Sequence, residues 1–322
     1  MPGAYRGRLA PSPTGYLHVG HARTFWTAQQ RAIAAGGVLV LRNEDLDPSR
    51  SRPDFVEAMS EDLRWFGFRW QEGPDCGGPF APYAQSERRD FYRAGFECLR
   101  REGRVYPCFC SRQDIARALQ APHAGEEEPI YPGTCQPMAK INNRDEEALL
   151  PAFGHPLPAK AGRGQREGAP SSIQTHTQNR PPRPPSWRFQ VPDGEVIEFM
   201  DGGRGLQRFV AGRDFGDFVV WRHDDVPSYQ LAVVLDDAAM RISEVVRGED
   251  LLLSTARQLL LYRALGLDAP TFYHGPLLTD QAGRRLAKRE AALSLRALRE
   301  QGMTPEMIRR EWPGIAGCTA SR

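Results

Sequence analysis

The sequence predicts an α/β fold built on a parallel sheet, and two observations carry that prediction. The first is an ordered succession near the N-terminus. A strand-like segment runs into a turn built from Pro11, Pro13 and Gly15, then into a helical stretch, then into the short apolar run Gly37 to Arg42. Strand, helix, strand with a long connection between the strands is a βαβ unit, which requires parallel pairing and a right-handed crossover. The second is the later succession of a strand-like run, Ile242 to Arg247, and an amphipathic stretch, Ser254 to Leu265, closed by Gly266.

The individual elements follow from local chemistry. Proline and glycine in the 11–15 turn prevent the first strand from continuing and the helix from starting early. Ala22 to Ala35 reads as the first helix. Pro53 to Phe66 reads as the second, with Pro53 near its start, where a missing N–H costs nothing. Ser86 to Glu102 reads as the third: Ser86 and Glu87 suit its first turn and Gly103 its end. From Pro137 to Pro185 nine prolines and few apolar anchors predict a poorly ordered insertion, too poor in burial to offset chain entropy. Order is expected to return at Trp187-Arg188-Phe189, with short strands and turns through Asp214 to Arg222. Ser228 to Val234 is apolar and ends in Asp236-Asp237. Ala291 to Glu300 and Pro305 to Glu311 read as short terminal helices.

The totals bound the class. The chain has 322 residues, 40% hydrophobic and 25% charged, which is ordinary for a globular protein. A net charge of +2 gives no global basic field, so any nucleic-acid contact must come from a local patch. The N-terminus has no apolar signal core, and the longest apolar runs are too short to span a bilayer. A cytoplasmic protein without a membrane partner is expected. Six cysteines in a chain of this size do not form a disulfide scaffold. Cys108, Cys110 and Cys135 cluster, which suggests a metal; Cys76, Cys98 and Cys318 read as ordinary thiols.

Several motifs carry chemistry. In Arg8 to His21 two histidines, His18 and His21, flank Gly20 at the start of a helix. A helix N-terminus offers free N–H groups and a positive dipole end, a seat for phosphate, where histidines can donate to oxygens as charge develops. Arg42-Asn43-Glu44-Asp45-Leu46-Asp47 closes the second strand. Ligands in open α/β sheets gather at such carboxyl ends, and the acidic residues suit an ammonium or a ribose. Gly283 to Arg289 is a basic run. Three thiolates favour zinc and leave a fourth position to fill. Tyr131 and His123 both offer themselves, and chemistry alone favours His123. No base or open coordination position is evident nearby, so the site reads as structural.

These motifs also carry a resemblance. His18-Val19-Gly20-His21 resembles the H-x-G-H signature of class I aminoacyl-tRNA synthetases, and Arg8-Leu9-Ala10-Pro11-Ser12-Pro13-Thr14-Gly15 resembles the glutamyl branch in particular. Arg42 to Asp47 resembles that branch's R-x-E-D-x-D element. Ser228 to Asp237 and Val246-Arg247-Gly248-Glu249-Asp250-Leu251 resemble its Y-x-L-A-x-V-x-D-D and V-R-G-x-D-L stretches. Gly283 to Arg289 resembles a degraded K-M-S-K-S element, with Arg285 and Lys288 in place of the two lysines and Ala287 in place of the serine. Tyr131-Pro132-Gly133-Thr134-Cys135 after Cys108-Phe109-Cys110 matches the C-x-C…Y-x-G-x-C pattern of the short, queuosine-directed members, which selects Tyr131 as fourth ligand.

The resemblance implies a class I synthetase Rossmann-like parallel sheet with an inserted zinc-containing acceptor-type subdomain and a short C-terminal helical segment. It divides the chain into a first catalytic half (1–105), the zinc-containing insertion (106–190) with its Pro-rich stretch (137–185), a second catalytic half (191–290) and a helical C-terminus (291–322), with no anticodon-binding domain. It implies a glutamate site of Arg8, Leu9, Ala10, Pro11, Ser12, Glu44, Tyr229 and Arg247. ATP falls to His18, Gly20, His21, Arg285 and Lys288, with His18, His21 and Lys288 stabilising the phosphoryl transition state. A dicarboxylate substrate suits guanidinium clamps, and Arg8 and Arg247 are available for fork-like pairing. One structural Zn²⁺ on Cys108, Cys110, Tyr131 and Cys135 is implied, together with Mg²⁺ arriving on ATP. The implied reaction is activation of L-glutamate and its transfer to the queuosine base in the anticodon of tRNA(Asp), by a monomer. Charging of tRNA(Glu), RNA binding without catalysis, and a general nucleotidyltransferase are the alternatives.

Overall fold

The computed structural model describes residues 4–118, 130–137, 184–278 and 294–312. In chain order the elements are β1 (Arg6–Leu9), α1 (Val19–Ala34), β2 (Val38–Leu41), α2 (Pro53–Phe66), α3 (Arg89–Arg101), β3 (Val105–Cys108), α4 (Arg112–Ala118), β4 (Ser186–Phe189), β5 (Val196–Asp201), β6 (Gly205–Val210), β7 (Phe218–Trp221), α5 (Tyr229–Ala239), β8 (Glu244–Gly248), α6 (Leu252–Ala264), β9 (Thr271–Gly275), α7 (Leu295–Glu300) and α8 (Pro305–Arg310).

The expected βαβ unit is present: β1 and β2 pair in parallel, Arg6 opposite Val38 through Leu9 opposite Leu41. Both strands are buried on both faces, as a covered parallel sheet requires. Gly37 enters β2 against Tyr5, where an added Cβ would lie 2.4 Å from the Tyr5 carbonyl oxygen, so only glycine fits. β8 and β9 form a second parallel pair, and β5 and β6 extend it in the order β6-β5-β9-β8. The Ser243 N–H donates to the Arg6 carbonyl at 2.9 Å, tying the foot of β8 to β1. A separate antiparallel sheet, β3-β4-β7, carries Cys108 at its end: Val105 pairs with Phe189 and Cys108 with Ser186.

Helix boundaries depart from expectation where tertiary contacts win. α1 begins at Val19, three residues early, because His18 itself caps it. The stretch from Ser86 does not open a helix. A single 3-10 turn at Gln85–Glu87 precedes α3, and Arg88 (φ −110°, ψ 15°) breaks the two apart. The Ser86 hydroxyl donates to Asp45 at 2.7 Å instead of capping, and the Arg88 guanidinium turns inward to Asp236 at 2.8 Å. The Ser228 segment is helical: its hydroxyl caps α5, accepting the Leu231 N–H. α7 starts after Ser294, whose extended backbone and side-chain cap make it the boundary, not the interior, of a helix from 291. The Pro-rich stretch from 138 to 183 and Cys318 lie outside the described residues.

Two apolar clusters share the core. One gathers α3, α5, α6 and the antiparallel strands; the other gathers α1, α2, β1, β2 and the C-terminal helices around Phe66, Phe68 and Trp312. Among the described residues no helix is long and apolar enough to cross a membrane.

Candidate active site

A cavity of about 390 Å³ opens at the carboxyl ends of β1, β2 and β8. Strand pleating explains its floor. Residues two apart share a face, so Arg8 and Ala10 turn toward the cavity and Leu9 turns into the core, where it is fully buried. Pro11 and Ser12 continue the lining, and His18, Gly20 and His21 close one end. Of the residues expected here, the structure brings together Arg8, Ala10, Pro11, Ser12, His18, Gly20, His21, Glu44, Tyr229 and Arg247. It does not bring in the Leu9 side chain. Arg285, Ala287 and Lys288 lie outside the described residues, although Leu278 before them lines the cavity and Ser294 after them bridges to His18.

The two histidines are set by the start of α1. His18 accepts the Gly20 N–H on its Nδ1 at 3.0 Å, which places the ring proton of the neutral form on Nε2. The glycine between them has a reason: a Cβ there would sit 2.8 Å from the His18 ring. The two rings lie 3.9 Å apart, centroid to centroid, and tilted by 33°.

The acidic and basic side of the cavity rests on a buried ion network. Arg42 is fully buried and donates to Asp237 at 2.7 Å and to Glu44 at 3.1 Å. Asp237 also lies 3.5 Å from Arg8 Nε, so one carboxylate supports two arginines. Arg8 donates one Nη1 hydrogen to the Val246 carbonyl; no described residue takes its Nη2. Burial pushes the Glu44 carboxyl up, against the pull of Arg42 and Arg8. Asp236 is held by Arg88, Gln85 and Tyr92 beneath this layer.

Arg247 is less free than its sequence suggests. Its Nη2 donates to Thr255 at 2.7 Å and to Gln258 at 2.8 Å, and its Nε donates to His274 Nε2 at 3.1 Å. Only Nη1 faces the cavity, beside the Tyr229 hydroxyl at 3.4 Å. The expected fork is therefore spent on the protein, and Arg247 and Tyr229 offer a ligand one donor each.

A second cavity of about 1260 Å³ shares Ser12, Glu44 and Tyr229 with the first and runs to Cys108, Cys110 and Tyr131. Arg50, Arg112, Arg188 and Arg222 line it. At its far end the three cysteine sulfurs lie within 4.8 Å of one another. A tetrahedral zinc with Zn–S of about 2.3 Å and Zn–O of about 2.0 Å sets S···S edges of about 3.8 Å and S···O edges of about 3.5 Å. The Cys110–Cys135 sulfurs are 3.5 Å apart, and Tyr131 Oη is 3.4 Å from Cys108 and 3.6 Å from Cys110. The donor set fits a zinc ion. The Cys135 N–H donates to Tyr131 Oη at 2.8 Å and fixes it, and the Arg188 Nε–H reaches the Cys108 sulfur at 3.3 Å. His123 lies outside the described residues.

Sequence reasoning missed Arg42, Asp201 and His274. Asp236-Asp237 signalled something, since two acids inside an apolar helix need partners; nothing in the sequence named those partners.

The chain is similar to known proteins over most of its length. Residues 4–149 and 160–314 match the catalytic domain of class I tRNA synthetases (E and Q). The chain is 46% identical over 303 residues to a glutamyl-Q tRNA(Asp) synthetase of Symbiobacterium thermophilum, covering 94% of this chain and 83% of that protein. It is 44% identical to the protein of the same name in Nitratidesulfovibrio vulgaris, covering 92% of this chain and 82% of that one. Against a glutamate–tRNA ligase 2 of Nitrosococcus oceani it is 40% identical over 95% of this chain, but spans 58% of that protein. The crystal structure of a glutamate tRNA ligase from Elizabethkingia meningosepticum, in complex with its amino acid, matches with a TM-score of 0.68 at 30% identity, over 89% of this chain and 52% of that chain.

Proposed function

The chain belongs to the class I tRNA synthetases of the glutamyl and glutaminyl branch, and from that premise we propose that it activates L-glutamate with ATP and transfers the glutamyl group to the queuosine base of tRNA(Asp). The observation that carries the amino-acid half is the convergence of Arg8, Arg247, Tyr229 and Glu44 on one cavity. Two guanidinium groups and a phenol suit the two carboxylates of glutamate, and a buried carboxylate suits its ammonium. Glutamate's α-carboxylate attacks the α-phosphorus of ATP, the bond to the β-phosphate oxygen breaks, and pyrophosphate leaves; a hydroxyl of queuosine then attacks the acyl carbon of the glutamyl-adenylate, the acyl–phosphate bond breaks, and AMP leaves.

ATP lies at the α1 end of the cavity in this reading. The rings of His18 and His21 face the phosphate oxygens as charge builds, beside the positive end of α1; the Gly20, His21 and Ala22 N–H groups are already given to His18. Arg285 and Lys288 serve the leaving pyrophosphate, and Mg²⁺ arrives on the nucleotide with no protein ligand assigned. Leu278 and Ser294, the described residues that bracket them, both border the histidine end of the site, which supports the assignment. Zinc on Cys108, Cys110, Tyr131 and Cys135 holds the wall of the second cavity; it has a structural role. That cavity meets the first at Glu44 and Tyr229, and its arginines suit a polyanion, which supports it as the tRNA side. In this reading the protein acts as a monomer, in the cytoplasm with its tRNA.

The higher identity to the two glutamyl-Q tRNA(Asp) synthetases than to the ligase favours queuosine over the 3′ end of tRNA(Glu) as acceptor. Exchange of labelled pyrophosphate into ATP tests the activation step. It is expected with glutamate and absent with aspartate; exchange driven by another amino acid, or none at all, would overturn the reading.

A further inference from the structure

Arg247 is held from behind by a buried chain that crosses three neighbouring strands. Asp201 ends β5, His274 lies on β9 and Arg247 on β8. Asp201 Oδ2 is 2.6 Å from His274 Nδ1, and His274 Nε2 takes the Arg247 Nε–H at 3.1 Å. Arg247 then meets Tyr229 at the cavity. His274 is 0% exposed and Asp201 2%. We propose that Asp201 and His274 are positioning residues that fix the plane of Arg247 so that its Nη1 and the Tyr229 hydroxyl face the amino-acid substrate. This rests on the reading of Arg247 as a carboxylate ligand.

The hydrogen-bond inventory makes the arrangement directional. Asp201 Oδ1 accepts three backbone N–H groups, from Gly203 and Arg204 at 2.9 Å and from His274 at 3.1 Å. That oxygen is saturated, and Oδ2 is left to face the imidazole. A carboxylate there keeps the His274 proton on Nδ1, so Nε2 remains an acceptor. Burial and the Arg247 cation hold the imidazole below its usual range, which keeps it neutral. On Arg247, Thr255 and Gln258 bind Nη2, and the Thr255 hydroxyl also lies 3.1 Å from His274 Nε2; the imidazole adds the second point of attachment, at Nε, that stops the guanidinium plane from turning. The turn that supplies the N–H groups allows no side chain at Gly203, where a Cβ would lie 2.3 Å from the His274 carbonyl oxygen.

Asp201→Asn tests this with little change in shape. The three backbone donors require the amide oxygen at the Oδ1 position, so the amide nitrogen must face His274 Nδ1. The proton then moves to Nε2 and opposes the Arg247 Nε–H, donor against donor. In pyrophosphate exchange the KM for glutamate is expected to rise about tenfold, the scale of one charge-assisted hydrogen bond, with the KM for ATP within twofold and the melting temperature retained. His274→Ala should show the same split, and His274→Gln, whose carbonyl oxygen can stand in for Nε2, should recover most of it. Arg247→Ala is run alongside. If it raises the glutamate KM while Asp201→Asn and His274→Ala do not, or if those two raise both KM values equally, the positioning role is wrong and the reading of Arg247 stands. If Arg247→Ala leaves the glutamate KM unchanged, that reading fails and the positioning role falls with it.

Discussion

Replacing Arg42 by methionine removes a charge from the centre of the buried network while keeping most of the side chain's length. In the parent, Arg42 donates to Asp237 at 2.7 Å and Glu44 at 3.1 Å and lies 3.7 Å from Asp236. Asp236 keeps Arg88, Gln85 and Tyr92, but Asp237 is left with Arg8 at 3.5 Å, and Glu44 loses the one cation hydrogen-bonded to it among the described residues. Stranding a buried carboxylate in this way costs about 3–5 kcal/mol, a large share of a total stability of about 5–15 kcal/mol. The sign of the pH dependence follows. Burial already raises the Glu44 carboxyl with Arg42 in place, and without Arg42 its folded-state pKa must rise further. The charged form is then penalised above that pKa, and the penalty disappears below the unfolded value of about 4.3. Urea unfolding at pH 8 and pH 5 should therefore show a large loss at the higher pH and a smaller one at the lower. Arg42→Met combined with Glu44→Gln should recover part of the loss, because the stranded charge is gone. A loss below about 1 kcal/mol at pH 8, against the roughly 3 kcal/mol or more of a broken buried pair, or one independent of pH, would refute the reasoning.

Two further outcomes follow from single sites. Cys135→Ser removes one of three thiolates from the metal cluster; bound zinc, read by elemental analysis, should fall from one per chain, with a lower melting temperature, because metal and fold are linked. Parent protein without stoichiometric zinc would remove that assignment. Asp62 is buried on α2 with neither oxygen hydrogen-bonded among the described residues, and burial pushes its carboxyl up to about 6 despite Arg296 and Arg299. The folded state binds its proton more tightly than the unfolded chain, so this group weakens the protein as pH rises from about 4 to about 6. Asp62→Asn should raise the melting temperature at pH 7.5 by an amount worth about 1–2 kcal/mol and little at pH 4, discounted for the nearby arginines; an equal gain at both pH values would count against it.

The order of elements was legible because apolar runs, prolines and glycines are local signals. β1, α1 and β2 fall where the turn at Pro11–Gly15 and the glycines at 36 and 37 put them, and Pro53 and Gly67 bound α2. The boundaries that shifted did so through distant partners. Ser86 could not cap a helix once Asp45 claimed its hydroxyl, and Arg88 could not be helical while reaching Asp236. In the site, His18, His21, Glu44, Tyr229 and Arg247 stood out by motif and do share one cavity. What supports them did not stand out. Asp201 and His274 are 73 positions apart and meet only because β5 and β9 are neighbours. The excluded Leu9 side chain was a matter of strand parity, which a motif of consecutive residues hides. Cys108, Cys110 and Cys135 were visible as a cluster, whereas chemistry alone favoured His123 over Tyr131; the contacts of the tyrosine with two of the sulfurs come from the fold.

The most direct test of the central claim is glutamate transfer, with ATP, onto tRNA(Asp) prepared with and without queuosine, beside tRNA(Glu). Label is expected on the queuosine-bearing tRNA(Asp) alone. Transfer to tRNA(Glu), or equal transfer to both forms of tRNA(Asp), would contradict the account.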